Sequence, residues 1–216
     1  MSYPAAPWHL QGFSLQTLHL LDTERVRPFI PDHLQIFSVL PGKTLGGVYI
    51  ASYGKGSTLE YNELIVVSGL VQQVGQMGAW ISHIYVDHPD SVAGGRKIWG
   101  LPKQIAEFTW DRDQASFVQV RQGGRTLCTL RSGWQLPGWQ QPVALASFGI
   151  LNANLLSFIG RGTMHVQLAS LNLTVSPDSP FAELNLGHPL LGFYSRSLDL
   201  MIDVPSIVDT INPVYI

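Results

Sequence analysis

Charge is what this sequence has least of. Lys, Arg, Asp and Glu make up 13% of the 216 residues while apolar residues reach 45%, where a typical domain carries about a quarter charged residues. The chain therefore has much to bury and little with which to coat itself, which excludes a disordered chain. The few charges nearly cancel, 13 basic against 15 acidic for a net of -2, and neither sign forms a block, which excludes a nucleic-acid partner held by electrostatics. Cysteine is almost absent. The single Cys128 allows no internal disulfide and no Cys-built zinc site, and fits a reducing compartment. It lies in Arg125-Thr126-Leu127-Cys128-Thr129-Leu130, which alternates like a strand, so a small buried thiol is expected there rather than a nucleophile. The N-terminal stretch Met1-Ser2-Tyr3-Pro4-Ala5-Ala6-Pro7-Trp8 has neither a basic nor an apolar segment of the secretory kind, and a cytoplasmic location is expected. The length is that of a single domain covering residues 1–216.

No Lys, Arg, Asp or Glu occurs between Arg131 and Arg161. Residues 143–160 approach the length of a membrane span, but Asn152 and Asn154 sit at the middle, where each would be costly in hydrocarbon. No membrane span is expected, and an apolar loop and helix lying against the core is the reading adopted for this stretch.

Elsewhere the pattern is that of strands. Phe13, Leu15, Thr17, His19 and Leu21 share one face by period two. Asp22 can cap a short helix from Thr23 to about Pro28, which Pro28 and Pro31 keep short. Strands follow at 35–40, 46–53, 63–74 and 79–86, each bounded by turn residues. Asp87-His88-Pro89-Asp90 reads as a turn. Residues 105–110 and 116–120 flank Asp111-Arg112-Asp113-Gln114 as a hairpin, and Gln122-Gly123-Gly124 turns into a strand at 125–131. Residues 163–176 form a long bent strand whose alternation changes phase near Ala169-Ser170, the mark of a bulge, and 190–204 closes the sheet system. About a dozen strands without a repeating helix period predict a mainly β (α+β) protein, a mostly antiparallel barrel or double sheet with a few short helices.

Phosphate loops, dinucleotide fingerprints and nucleophile elbows are all missing, which removes nucleotide enzymes and α/β-hydrolases. His83, Asp87 and His88 are a weak metal constellation, and neither a metal nor a cofactor is expected. Only four lysines occur, Lys43, Lys55, Lys97 and Lys103. Lys103 follows Gly100-Leu101-Pro102 in a segment rich in Gly, Trp and Ile. Apolar surroundings, or a second cation such as Arg96 or Lys97, disfavour an ammonium and make a free amine available as a nucleophile. The plain alternative is a surface lysine after a tight turn.

The run Gly94-Gly95-Arg96-Lys97-Ile98-Trp99-Gly100-Leu101-Pro102-Lys103 resembles the signature of the acetoacetate decarboxylase family. Val26-Arg27-Pro28-Phe29-Ile30-Pro31-Asp32-His33-Leu34 is similar to that family's helix and Pro-x-x-Leu turn, Tyr61-Asn62-Glu63 to its Tyr-x-Glu, and Asp87-His88-Pro89 to its lead into the signature. The resemblance covers most of the chain and implies that Lys103 forms a Schiff base with a keto acid or related carbonyl compound, for decarboxylation or for aldol and dehydration chemistry. It further implies that Glu63, a carboxylate inside an apolar strand, carries protons, and that Arg96 either orients a carboxylate or braces the loop. Trp99, Lys97 and Gln104, which flank the nucleophile, are the expected substrate contacts. Two positions depart from the pattern, Gln104 where the family has a second lysine and Lys97 where it has Glu, and the first strand lacks an arginine around residues 11–14. Acetoacetate itself is therefore not the expected substrate. The resemblance implies a homo-oligomer. It extends more weakly to plant proteins needed for neoxanthin accumulation, which gives the rival reading, a barrel that binds an apolar small molecule such as a carotenoid or lipid-like ligand without chemistry.

Overall fold

The computed structural model describes residues 3–111 and 117–211. Its sheet is built from β1 (Trp8–Asp22), β2 (Gln35–Ile36), β3 (Lys43–Tyr53), β4 (Tyr61–Gln73), β5 (Gln76–Val86), β6 (Lys103–Ile105), β7 (Glu107–Asp111), β8 (Phe117–Gln122), β9 (Arg125–Gln135), β10 (Trp139–Leu151), β11 (Asn154–Val175), β12 (Leu191–Ile202) and β13 (Ser206–Thr210). Neighbours run β10-β5-β4-β3-β1-β12-β11, and β10 also pairs β11, so these seven strands return on themselves as a ring. The seam is short, two parallel residue pairs, Ser147 with Ala79 and Phe148 with Trp80. The second half of β11 leaves the ring and carries β9, β8 and β7 as a second layer. The register shift against β9 falls between Ala169 and Leu171, where the change of alternation predicts a bulge. The mainly β architecture expected from the sequence is the one found, mostly antiparallel, with parallel pairing at β10–β5 and β5–β6.

Both faces of the central strands are buried, which is why Leu64-Ile65-Val66-Val67 is continuously apolar instead of alternating. Leu15, Val48, Ile50, Leu64, Val66 and Tyr85 point to the second layer and pack with Val118, Val120, Leu127, Cys128 and Leu130. Trp8, Leu10, Tyr53, Tyr61, Ile65 and Ile81 point to the other side, the inside of the ring. The face predicted for β1 is correct from Leu15 onward: Leu15, Thr17, His19 and Leu21 are all buried.

Four local expectations are corrected. The stretch 143–160 contains no helix; β10 and β11 form a hairpin there whose turn is Asn152-Ala153, both at positive φ (50° and 61°). Asn152 therefore lies at a turn, where Asn tolerates the left-handed region. Asp87-His88-Pro89-Asp90 is a helix start as well as a turn, since it opens α2 (Pro89–Ile98), with Pro89 in the first turn and the His88 ring accepting from the Asp90 N–H. The glycine pair in this helix hides it from propensity. α1 (Thr23–Val26) begins after Asp22, but the Asp22 carboxylate makes no cap bond and instead meets Lys43 at 2.6 Å. Finally, of residues 35–40 only β2 is strand. β7 and β8 pair as the expected hairpin, while its turn lies outside the described residues. No described helix is long and apolar enough to cross a membrane.

Candidate active site

The chain brings Lys103 to the ring interior through a β5-α2-β6 crossover. β6 lies parallel to β5, with Lys103 beside Ile84, and α2 packs across the pair. This helix turns a face of small residues inward, Ser91, Gly94 and Gly95. The reason is steric. A Cβ on Gly95 would sit 2.4 Å from Cδ and 2.7 Å from Cε of Lys103, and one on Gly94 would sit 2.5 Å from the Trp8 ring, so the lysine stem crosses the helix where a side chain is missing. The helix is followed, after Trp99, by Gly100 at φ +65°, and the Leu101 N–H returns to the Gly95 carbonyl at 3.1 Å. Arg96 Nε donates to the Lys103 carbonyl at 2.7 Å. The Trp99 indole donates to the Asp203 carbonyl at 2.9 Å and meets Trp8 edge to face, ring centres 4.8 Å apart.

Lys103 is 4% exposed, as is Glu63. Its Nζ donates to Glu63 Oε1 at 2.7 Å and to Ser91 Oγ at 3.0 Å, and it stands 5.0 Å from the centre of the Tyr61 ring and 5.8 Å from that of Trp8, within the range of cation–π attraction. The other carboxylate oxygen of Glu63 accepts from the Tyr53 hydroxyl at 2.9 Å, and a hydroxyl contact of 3.1 Å joins Tyr53 to Tyr49. Burial, with the Glu63 charge second, holds the Tyr53 and Tyr61 hydroxyls well above the usual phenol range, so both stay protonated. Strand pairing sets this arrangement: Tyr53 is opposite Tyr61, and Glu63 is opposite Ala51, whose small side chain leaves room for the carboxylate. Asp87 fixes the neighbouring turn by accepting from the backbone N–H and side-chain amide of Asn62 at 2.7 and 2.6 Å.

These groups open into a cavity of about 410 Å³, lined by all seven ring strands together with Trp99, Leu101 and Lys103. Of its described lining residues only Lys103 and Glu63 carry charge; nearly all the rest are apolar, among them Leu10, Ile81, Phe158, Met164 and Leu200. The structure thus brings together three of the six residues singled out from the sequence, Lys103, Glu63 and Trp99. Arg96, Lys97 and Gln104 are exposed and do not line the cavity. Periodicity is the reason. Gln104 follows the inward Lys103 on a strand and so points outward, where the Gln122 amide donates to it at 3.0 Å. Arg96 and Lys97 are on the face of α2 opposite to Ser91 and Gly95. Ser91, Tyr53, Tyr49 and Trp8 are site residues that sequence reasoning missed. Of these, Tyr49 and Tyr53 had a signal, since with Ala51 they share one face of a strand neighbouring the one that carries Glu63. The His83, Asp87 and His88 constellation is not gathered, for His83 packs between Phe29 and Phe181 and His88 caps α2. Among the described residues no group of three or more His, Cys, Asp or Glu could hold a metal ion.

Known proteins share parts of this chain. Protein NEOXANTHIN-DEFICIENT 1 of Solanum lycopersicum is 36% identical over 109 residues, covering 50% of this chain and 37% of that protein, so the match spans well under half of the relative's length. Among solved structures, acetoacetate decarboxylase from Legionella pneumophila superposes with a TM-score of 0.75 at 17% identity, covering 97% of this chain and 90% of that one. The enduracididine biosynthesis enzyme MppR, complexed with pyruvate, does so with a TM-score of 0.71 at 16% identity, covering 97% and 92%. At these identities the two superpositions speak for the fold alone. The acetoacetate decarboxylase family model, however, matches residues 2–211, continuous through β1, the buried lysine, its partner carboxylate and the closing strands, and the chain belongs to the acetoacetate decarboxylase family.

Proposed function

We propose that the protein is a Schiff-base-forming lysine enzyme that acts on a carbonyl compound, with Lys103 as the nucleophile. One observation carries the reading: a lysine amine, buried inside a cavity of substrate size, is hydrogen-bonded to a carboxylate that is itself buried. In the bonded pair a proton passes from Nζ to Glu63 without leaving charge unbalanced, and the freed amine adds to the carbonyl carbon. The carbonyl oxygen leaves as water, and the iminium then draws electrons from a bond beside the former carbonyl carbon. Glu63 receives or returns the proton of that step. Ser91 and Tyr53 orient the amine and the carboxylate, Trp99 is a wall of the site, and Arg96 braces the loop through the Lys103 carbonyl. Decarboxylation and aldol or dehydration chemistry are all open to this intermediate.

The test is intact mass after borohydride treatment with a panel of carbonyl compounds, in wild type and Lys103→Ala. A reduced adduct mapping to Lys103 and absent from the variant is expected; adducts that persist in the variant would remove the assignment.

The apolar lining of the cavity favours a second reading, a barrel that holds an apolar small molecule, carotenoid or lipid-like, and performs no chemistry. Visible absorbance that co-purifies with a protein inert to every carbonyl would support it. For either reading we propose a single domain, cytoplasmic and homo-oligomeric, with sparse charge and exposed Trp134, Trp139 and Ile207 as the support for self-association.

A further inference from the structure

The lining of the cavity narrows the substrate class, an inference that rests on the imine chemistry proposed for Lys103. The described lining residues include one cation, Lys103, and one anion, Glu63, which neutralise each other at 2.7 Å. Arg96 and Lys97 on α2 face outward, and the β11 arginine, Arg161, is exposed and meets Asp203 at 3.1 Å. A keto acid would therefore bring into the ring a carboxylate for which the lining offers no free cation. An unpaired buried carboxylate is opposed by the cost of taking its charge out of water.

From this we infer that the substrate is an uncharged, apolar ketone or aldehyde, larger than a four-carbon acid, rather than a keto acid. The charge balance of imine formation agrees. The ammonium and a neutral carbonyl give an iminium and one water: the N–C bond forms, the C–O bond breaks, two of the three Nζ protons leave with the oxygen, and one positive charge remains on nitrogen. The cavity thus begins as a cation–anion pair and ends as one, iminium against the Glu63 carboxylate, and at no stage holds an unmatched charge. When Glu63 then takes a proton from the carbon next to the iminium, both charges vanish together and a neutral enamine lies beside a neutral acid, the state that an apolar cavity favours most. An enamine formed without loss of CO2 reacts at that carbon with a proton or a second carbonyl, which makes proton exchange, isomerisation or carbon–carbon bond chemistry the reaction class.

Size points the same way. At about 30 Å³ for each water-sized group, the cavity of about 410 Å³ has room for roughly a dozen heavy atoms. Leu18, Leu45 and Leu70, half-buried, and Leu145, exposed, belong to the same lining and give an aliphatic chain extending from the imine carbon an apolar surface to lie against.

The experiment is borohydride trapping of the full wild-type chain against paired probes: pyruvate and acetoacetate on one side, 2-pentanone, 2-nonanone and nonanal on the other. The adduct is mapped by peptide mass, and half-saturating concentrations are compared at one pH and ionic strength. Labelling of Lys103 by the nine-carbon carbonyls at concentrations at least tenfold below those needed for either acid is the expected result. Equal or better labelling by pyruvate or acetoacetate would overturn the neutral-substrate inference and leave the Schiff-base enzyme standing. If no probe labels Lys103, the imine reading falls and this inference with it. Because the readout is a mapped adduct on the unaltered protein, adducts on Lys43, Lys55 or Lys97 are separated from it directly, and no variant has to fold.

Discussion

The two faces of the ring strands have been put to opposite uses. Leu64 and Val66 look into a filled apolar core, whereas Glu63 and Ile65, alternating with them on the same strand, look into a cavity. Each face buries a group with the elements of a nucleophile, and their surroundings separate them. On the filled face Cys128 is fully buried and burial alone pushes its thiol up to about 12, so it is inert. On the cavity face Lys103 has an acceptor for its proton, a hydroxyl to aim it, and space beside it for a carbonyl carbon. Burial without a partner or a void silences a nucleophile; burial with both is the setting in which we propose that Lys103 acts.

The largest effect should come from separating the ion pair. Lys103→Met leaves Glu63 buried without its cation, which costs about 3–5 kcal/mol, or about 2–4 °C of melting temperature for each kcal/mol at this chain length. Adding Glu63→Gln, which keeps an acceptor for Tyr53, should recover most of that stability and none of the trapping. Denaturant titration of the two single variants and the double variant measures the coupling, and additive losses would show that the pair is not a unit.

A matched pair of truncations tests whether the faces differ in packing. Leu130→Ala on the filled face should cost about 2–5 kcal/mol and leave borohydride trapping at Lys103 unchanged. Ile81→Ala, whose side chain already borders the void, should cost less than half as much and alter the half-saturating concentration of apolar probes. Equal costs would mean that the cavity is closed by its neighbours in solution.

A smaller cost with a local consequence is expected from Gly95→Ala. The added methyl meets the Lys103 stem at 2.4 Å, so overpacking costs about 1–3 kcal/mol, while the amine is moved off Glu63 and trapping slows at least tenfold. Unchanged trapping would show that the lysine has another way to cross α2.

How much of this contrast can be read in the sequence depends on the range over which each feature is determined. The strands declare themselves through period two and continuous apolar runs, and Lys103 through the Gly-rich signature around it. The hairpin at 143–160 does not, because a run with no charges and no alternation of polarity has the same composition whether it is helix, loop or strand, and only the pairing of β10 with β11 decides. The site is legible as residue types and illegible as an assembly: Ser91, Glu63 and Tyr53 come from α2, β4 and β3, and no local pattern announces that Ala51 makes room for Glu63. Lys97 and Gln104 mislead for the opposite reason. They are near Lys103 in sequence, but helix and strand periodicity turn them outward.

The smallest expected effect concerns the silent nucleophile, and its sign is set by linkage. The Cys128 thiol is raised by burial from 9.0 to about 12, so between those values the unfolded chain has released a proton that the folded chain retains. Stability from this group is complete below about pH 9 and declines as pH rises toward 12, by at most ~1.4 kcal/mol per pH unit. Tyr85, raised from 10.0 to about 12 by burial and by the charge that Cys128 would carry, adds its own decline only above pH 10. Cys128→Ala should therefore flatten the loss between pH 9 and 10 by about 1 kcal/mol and leave Lys103 trapping at pH 8 unaltered, with iodoacetamide failing to modify the native thiol at pH 8. Rapid alkylation there, or an identical pH slope in the variant, would mean that the second layer opens readily and that the two faces differ less in solution than their packing implies. Persistence of the difference would separate the roles of burial, since on one face it contributes only to stability and its pH dependence, and on the other it holds the amine and carboxylate of the proposed reaction.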